Sequence, residues 1–250
     1  MHRGPGRRPP MSDRVAEVTS EPARELRELV SLGCRVLGSA EQGDLIWGHV
    51  SARDPQGRGV WMKASGLGFE EVSPDDVLLV SWDGEVLSGD GRRHAEFPIH
   101  TEVMRARAEV GSVIHTHSPS AVALGALGVP LRPISHEANL FVPPELPRFT
   151  MTGDLILTAD LGRAVAQALG DRNAAMLVNH GIVVAGPDVQ TATVTAFLLD
   201  RACRIQLTAM AAGGWPTWSS PEESLAKRGH CYPEPLLSGA WDYLVRSLDR

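Results

Sequence analysis

Apolar residues recur along this chain with two periods, one helical and one of strand type. Between residues 22 and 37 they fall at Leu26, Leu29, Val30 and Leu37, the stripe of an amphipathic helix. Pro22 near its start and Gly38 at its end suit those helix positions. Residues 45–53 read as a strand interrupted by a turn, and Asp54-Pro55-Gln56-Gly57 then reverses the chain toward a returning strand at 60–63. The glycine loop Ala64-Ser65-Gly66-Leu67-Gly68 follows. Such a loop can bring backbone N–H groups to an anion, and can equally be a plain connection. Asp83-Gly84 between apolar runs at 77–81 and 85–87 predicts a second hairpin.

After Pro98 the spacing predicts a helix with Ile99, Val103 and Met104 turned inward. Ser112-Val113-Ile114 reads as a buried strand, and Ser118 can cap a helix reaching about Leu127. Residues 129–153 form a proline-rich connection containing His136-Glu137. Its length marks it as functional or as a packed lid. A helix at 160–169, a strand at 175–178, its resumption at 182–185 and a long helix at 189–212 complete the body. Gly213-Gly214 ends that helix. Trp215, Trp218, Tyr232, Trp241 and Tyr243 crowd the C-terminal segment, either to pin it to the body or to cover a pocket or subunit interface. Residues 1–18, rich in Pro, Gly and charge, read as a flexible tail before one domain at 19–250. The alternation of strands and helices predicts a single α/β domain around a mixed sheet, with helices on its faces.

Composition changes this picture little. The 250 residues are 43% apolar and 22% charged, enough chain to bury a core without staples. A net charge of −6 gives no reason to expect a nucleic-acid partner. No apolar run is long enough to span a membrane, and no apolar segment follows the basic residues near the N-terminus. Cys34, Cys203 and Cys231 are odd in number and widely spaced, which favours free thiols and a cytoplasmic location.

Histidine is where chemistry enters. In an extended chain residues i and i+2 share a face, so His115 and His117 emerge side by side from the end of a strand, as two metal ligands do. His180, in Asn179-His180-Gly181, also follows an apolar run, and Glu96 adds a carboxylate. Three imidazoles and a carboxylate suit Zn, Fe or Mn. Each piece alone has an ordinary explanation: a strand histidine can be a hydrogen-bonded core residue, and a glycine after a strand is common turn chemistry.

In order and spacing, Gly48-His49-Val50-Ser51, the Ser65-Gly66 loop, Glu96 before Pro98 and His100, His115-x-His117, and Asn179-His180-Gly181 resemble the marks of the class II aldolase/adducin family. The resemblance covers roughly residues 26–212. It implies a single-domain three-layer α/β/α fold with a central, mainly antiparallel sheet. It also implies one divalent metal per subunit (Fe2+, Zn2+ or Mn2+) held by His115, His117 and His180. Glu96 takes the place of the family's acid/base carboxylate, which can also ligate the metal. A homotetramer or higher homo-oligomer is implied as well. The adducin branch is non-catalytic and predicts missing ligands, whereas all four are present here.

Departures from the sugar-phosphate aldolases bear on the substrate. Those enzymes typically read Gly-Asn-x-Ser where this chain has Gly48-His49-Val50-Ser51, and place two hydroxyl residues before the carboxylate, where this chain has His94 and Ala95. Part of a phosphate cradle is thereby removed. An imidazolium, Lys63 or Arg93 could bind a carboxylate instead, so a small carboxylic acid is the expected partner, contacted by His49, Ser65, Gly66, His94 and His136. Residues 48–55 and Trp241-Asp242-Tyr243-Leu244 look closer to two offshoots of the family. These are metal-dependent aromatic-acid decarboxylases and the non-haem iron oxygenases that form prenylated 4-hydroxybenzoate. The expected activity is metal-dependent C–C cleavage, most simply decarboxylation of a hydroxylated aromatic or 2-oxo/2-hydroxy acid. The alternatives are Fe(II)/O2-dependent oxidative decarboxylation of a 4-hydroxyphenylpyruvate-type acid and sugar-phosphate aldol cleavage.

Overall fold

The computed structural model of the protein describes residues 21–214 and 217–248. The tail expected at 1–18, and Trp215, lie outside them. The chain runs α1 (Glu21–Ser39), β1 (His49–Arg53), β2 (Gly59–Lys63), β3 (Val77–Ser81), β4 (Val86–Ser88), α2 (Phe97–Ala106), β5 (Ser112–Thr116), α3 (Pro119–Ala126), β6 (Arg148–Phe149), α4 (Ala159–Leu169), β7 (Ala174–Leu177), β8 (Gly181–Gly186), α5 (Val189–Ala211), α6 (Pro221–Cys231) and α7 (Glu234–Ser247). One eight-stranded sheet has the order β4-β3-β2-β1-β5-β8-β7-β6. Every neighbouring pair is antiparallel except β6 with β7, so the sheet is mixed at one edge.

Strand alternation sorts the core into two layers. Trp61, Leu79, Ile114, Ile182 and Val184 pack with Val30, Leu37, Leu124 and Leu199 of α1, α3 and α5. Their strand neighbours Met62, Leu78, Val80, Val113 and Val183 pack on the opposite face with Ile99, Val103, Val165 and Leu169 of α2 and α4. The result is the three-layer α/β/α fold. Ile114 is fully buried, and truncating such a side chain to Ala costs about 2–5 kcal/mol.

Local chemistry fixes several boundaries. The Asp54 carbonyl accepts from Gly57 N–H at 2.9 Å, closing the first hairpin. Ser118 Oγ accepts from Ala121 N–H at 3.3 Å and caps α3. Two strand readings are corrected. Residues 45–48 form a turn, with Leu45 at φ +51° and 74% exposed, so β1 begins only at His49. Residues 175–185 are not one strand resumed: Asn179, at φ +60°, sits in a turn between antiparallel β7 and β8. The C-terminal aromatics divide. Trp241 is buried against Val36 and Val194 and anchors α7, whereas Trp218 and Tyr243 are half exposed. Among the described residues no helix is long and apolar enough to cross a membrane.

Candidate metal centre

Strand register builds the site. β1 and β5 pair with His49 opposite His115 and Ser51 opposite Val113. Directly opposed residues share a face, so these four side chains all point toward α2. His117, two residues beyond His115, stays on that side. On the other flank of β5 the β7–β8 turn delivers His180, whose ring centroid lies 4.9 Å from that of His115 and 5.2 Å from that of His117. Gly181 makes this possible. A Cβ there would stand 2.4 Å from the Thr116 carbonyl oxygen and 2.9 Å from His117 Cδ2.

Glu96 immediately precedes α2 but does not cap it with its side chain. Its carboxylate turns instead into the imidazoles, with Oε1 3.5 Å from His180 Nε2 and Oε2 3.8 Å from His115 Nε2. One ligand atom from each of Glu96, His115, His117 and His180 lies within 4.8 Å of all the others. The far side of each ring explains why these atoms suit a cation. His115 Nδ1 is 2.9 Å from the Ile182 carbonyl, which only accepts, so Nδ1 carries the proton and Nε2 is bare. His117 Nδ1 is 2.8 Å from Asp44 Oδ2 and is held the same way. His115 Nε2 and His117 Nε2 face each other at 3.0 Å, close enough for one positive ion to bind both. Both ring nitrogens of His180 are buried and, among the described residues, lack a hydrogen-bond partner. The four residues fit a divalent ion, and Asp44 and Ile182 supply the outer hydrogen bonds that orient metal-binding imidazoles.

Burial drives His115 well below the ordinary imidazole range and outweighs the nearby Glu96 carboxylate, so the ring is neutral. Burial works against ionisation of Glu96. The surrounding imidazoles, His180 foremost, nonetheless hold its carboxyl well below the usual carboxylate range. Ile156 N–H donates to Oε1 at 2.7 Å.

The other expected site residues scatter. His49 joins the cluster, its ring centroid 4.9 Å from that of His115. His94 stacks on His49 at 4.5 Å between centroids. Burial, assisted by the Lys63 ammonium, pushes His94 down to about 3. It is a neutral imidazole, which corrects the expectation of an imidazolium binding a carboxylate there. Lys63 is completely buried, and its Nζ donates to the Ile46 and Ala64 carbonyls at 3.3 Å and meets His94 Nε2 at 3.2 Å. Arg93 is engaged with the Gly84 and His94 carbonyls and the Phe97 ring. Ser65 N–H bonds the Arg92 carbonyl at 2.7 Å, setting the Ser65-Gly66 loop beside the segment that carries His94. His136 lies apart from the cluster, with Nδ1 3.1 Å from Cys231 Sγ. Sequence reasoning missed Asp44, which sits in an ordinary polar loop. It also gave His100 no role, although Glu96 and His100 are spaced one helical turn apart.

Fold and site together define an α/β/α protein with a three-histidine, one-carboxylate centre at the end of a central strand. The family described as Class II Aldolase and Adducin N-terminal domain matches residues 28–207, and the chain belongs to it. It is 32% identical to a 3,4-dihydroxyphthalate decarboxylase of Arthrobacter keyseri over 75% of this chain and 80% of that one. It is 34% identical to a 4-hydroxy-3-prenylphenylpyruvate oxygenase/4-hydroxy-3-prenylbenzoate synthase of Streptomyces roseochromogenus subsp. oscitans, over 83% and 75% of the two chains. Among solved structures, an aldolase II superfamily protein from Pseudomonas syringae superposes with a TM-score of 0.84. That match is 26% identical and covers 94% of this chain and 96% of that one.

Proposed function

We propose that the protein is a divalent-metal-dependent lyase that decarboxylates a hydroxylated aromatic or 2-oxo/2-hydroxy carboxylic acid. The observation that carries this reading is the convergence of Glu96 with the inward nitrogens of three imidazoles, that of His115 bare and that of His180 unpartnered. His115, His117 and His180 would hold the ion, with Glu96 able to join them. A bound ion would supply Lewis acidity toward the negative charge left when the C–C bond breaks. The choice of an acid over a sugar phosphate is supported by the decarboxylase relatives and by His94 and Ala95 standing where the aldolases carry hydroxyl groups.

Glu96 is the proton carrier in this reading. Ile156 N–H holds Oε1, which leaves Oε2 to take a proton from the substrate and return it to the carbon that CO2 has left. His115 is fully buried and Glu96 is 6% exposed, so the centre is largely shielded from competing water. A second reading, oxidative decarboxylation of a 2-oxo acid with Fe(II) and O2, is favoured by the oxygenase relative, and the same ligand types suit iron.

The test is elemental analysis of protein purified without oxygen, then reconstitution with Zn2+, Mn2+ or Fe2+ and assay of CO2 release from hydroxylated aromatic acids. Turnover indifferent to O2 is the expected result. Turnover only with iron and O2 selects the second reading. Aldol cleavage of a sugar phosphate with no CO2 from any acid overturns both.

A further inference from the structure

Outside the metal centre, a thiol stands beside an imidazole. Cys231 is the last residue of α6, and its Sγ lies 3.1 Å from His136 Nδ1, which belongs to the proline-rich connection 95 positions earlier. Three further hydrogen bonds fix α6 against that connection. Ser224 Oγ donates to the Val142 carbonyl at 2.6 Å, and the Arg228 guanidinium donates to the Asn139 and Pro143 carbonyls at 2.8 and 2.5 Å. The approach of sulfur to nitrogen is thus set by the packing of two segments. One proton lies between the two atoms. Whichever of them carries it, the ring can hold it while the sulfur becomes a thiolate, the reactive form.

The other two thiols have neither the partner nor the access. Cys34 and Cys203 have no exposed surface, and burial pushes both up, Cys34 to about 12. Cys231 is partly exposed and His136 is exposed. Glu137 and Tyr232 flank the pair. Arg201 engages Glu137 at 2.7 Å, and burial pushes the Tyr232 phenol up, so it stays protonated. On its open side His136 borders a cleft of about 470 Å³ together with Ser135, Trp218 and Lys227. Lys227 stands one helical turn before Cys231, so its ammonium, paired with Glu223 at 2.6 Å, lies on the same face of α6 as the thiol. The cleft gives a small molecule room to approach the pair.

We propose that Cys231, activated by His136, is a thiol-modification site that forms mixed disulfides with low-molecular-weight disulfides. The Cys231 thiolate attacks one sulfur of the disulfide, and a new S–S bond forms as the old one breaks. The Cys231 sulfur is oxidised, and the departing half leaves reduced, as a thiolate that can take up the proton held by His136. This chemistry is independent of the metal centre and of the reaction assigned to it.

The test uses the full-length, metal-loaded protein with glutathione disulfide as the probe, and peptide mass spectrometry to locate adducts. One glutathione should add, at Cys231, and dithiothreitol should remove it, while Cys34 and Cys203 stay free until the chain is unfolded. Cys231→Ser should take up none. Alkylation of Cys231 by iodoacetamide then reads the role of His136. His136→Gln should slow it by roughly 10-fold at pH 7, from the smaller thiolate fraction, and should match wild type at pH 9.5, where the thiol ionises unaided. A merely structural His136 would leave the same rate ratio at both pH values. No adduct, an adduct at Cys34 or Cys203 in place of Cys231, equal rates for His136→Gln and wild type at pH 7, or a deficit that persists unchanged at pH 9.5 overturns the proposal.

Discussion

Two groups of histidines occupy one face of the same sheet and differ only in what stands behind each ring. His115 and His117 each have one nitrogen tied to an oxygen that accepts, the Ile182 carbonyl or the Asp44 carboxylate, and turn the other inward to a common point. His49 and His100 are tied to each other and onward to Ser51, so their one free nitrogen is His49 Nε2. The first group gathers lone pairs on a point and suits a cation. The second forms a chain of hydrogen bonds that uses up all but one of its ring nitrogens. Residue type is the same in both; the partner on the far nitrogen decides the role.

The sharpest way to break that distinction is His115→Ala. It should remove most bound metal, read by elemental analysis, and reduce turnover to background; full occupancy in the variant would refute the assignment. Glu96→Gln comes next. Metal should remain while the rate falls by about 10²–10⁴-fold, the usual worth of a positioned proton carrier. Asp44→Asn should weaken metal affinity by roughly 10–100-fold in competition with a chelator, because the amide no longer fixes the His117 ring as firmly. Ser51→Ala makes the contrast: metal affinity should match wild type, and stability should fall by about 1 kcal/mol for the lost buried hydrogen bond, measured by urea unfolding. A Ser51→Ala variant with the chelator response of Asp44→Asn would merge the two groups into one.

Much of this was legible in the sequence where the signal is local. The apolar stripe at Leu26, Leu29, Val30 and Leu37 placed α1 within two residues of its observed ends, and Ser118 does cap α3. His115 and His117 were paired by strand periodicity alone. The failures have physical causes. Leu45, Ile46 and Trp47 are apolar enough to read as a strand, yet they lie exposed on a turn whose backbone is tied to Lys63 and followed by Gly48 at φ +73°. The β7–β8 turn was hidden because Asn179 and His180 interrupt two apolar runs by too few residues to break a period. Asp44 and His117 are 73 positions apart, so nothing near either one announces the other. His136 sits in a loop, where no period constrains direction, and the fold takes it to Cys231.

The two ends of the sheet carry a last consequence. At one end β4 has only three residues, with a register irregularity between Leu79 and Val80 on the strand beside it; at the other, β6 has two residues and lies parallel to its neighbour. Edges this short present almost no row of free backbone groups on which another chain's strand could form. The central sheet, which holds every β-strand of the described residues, thus offers little edge for growth by strand addition.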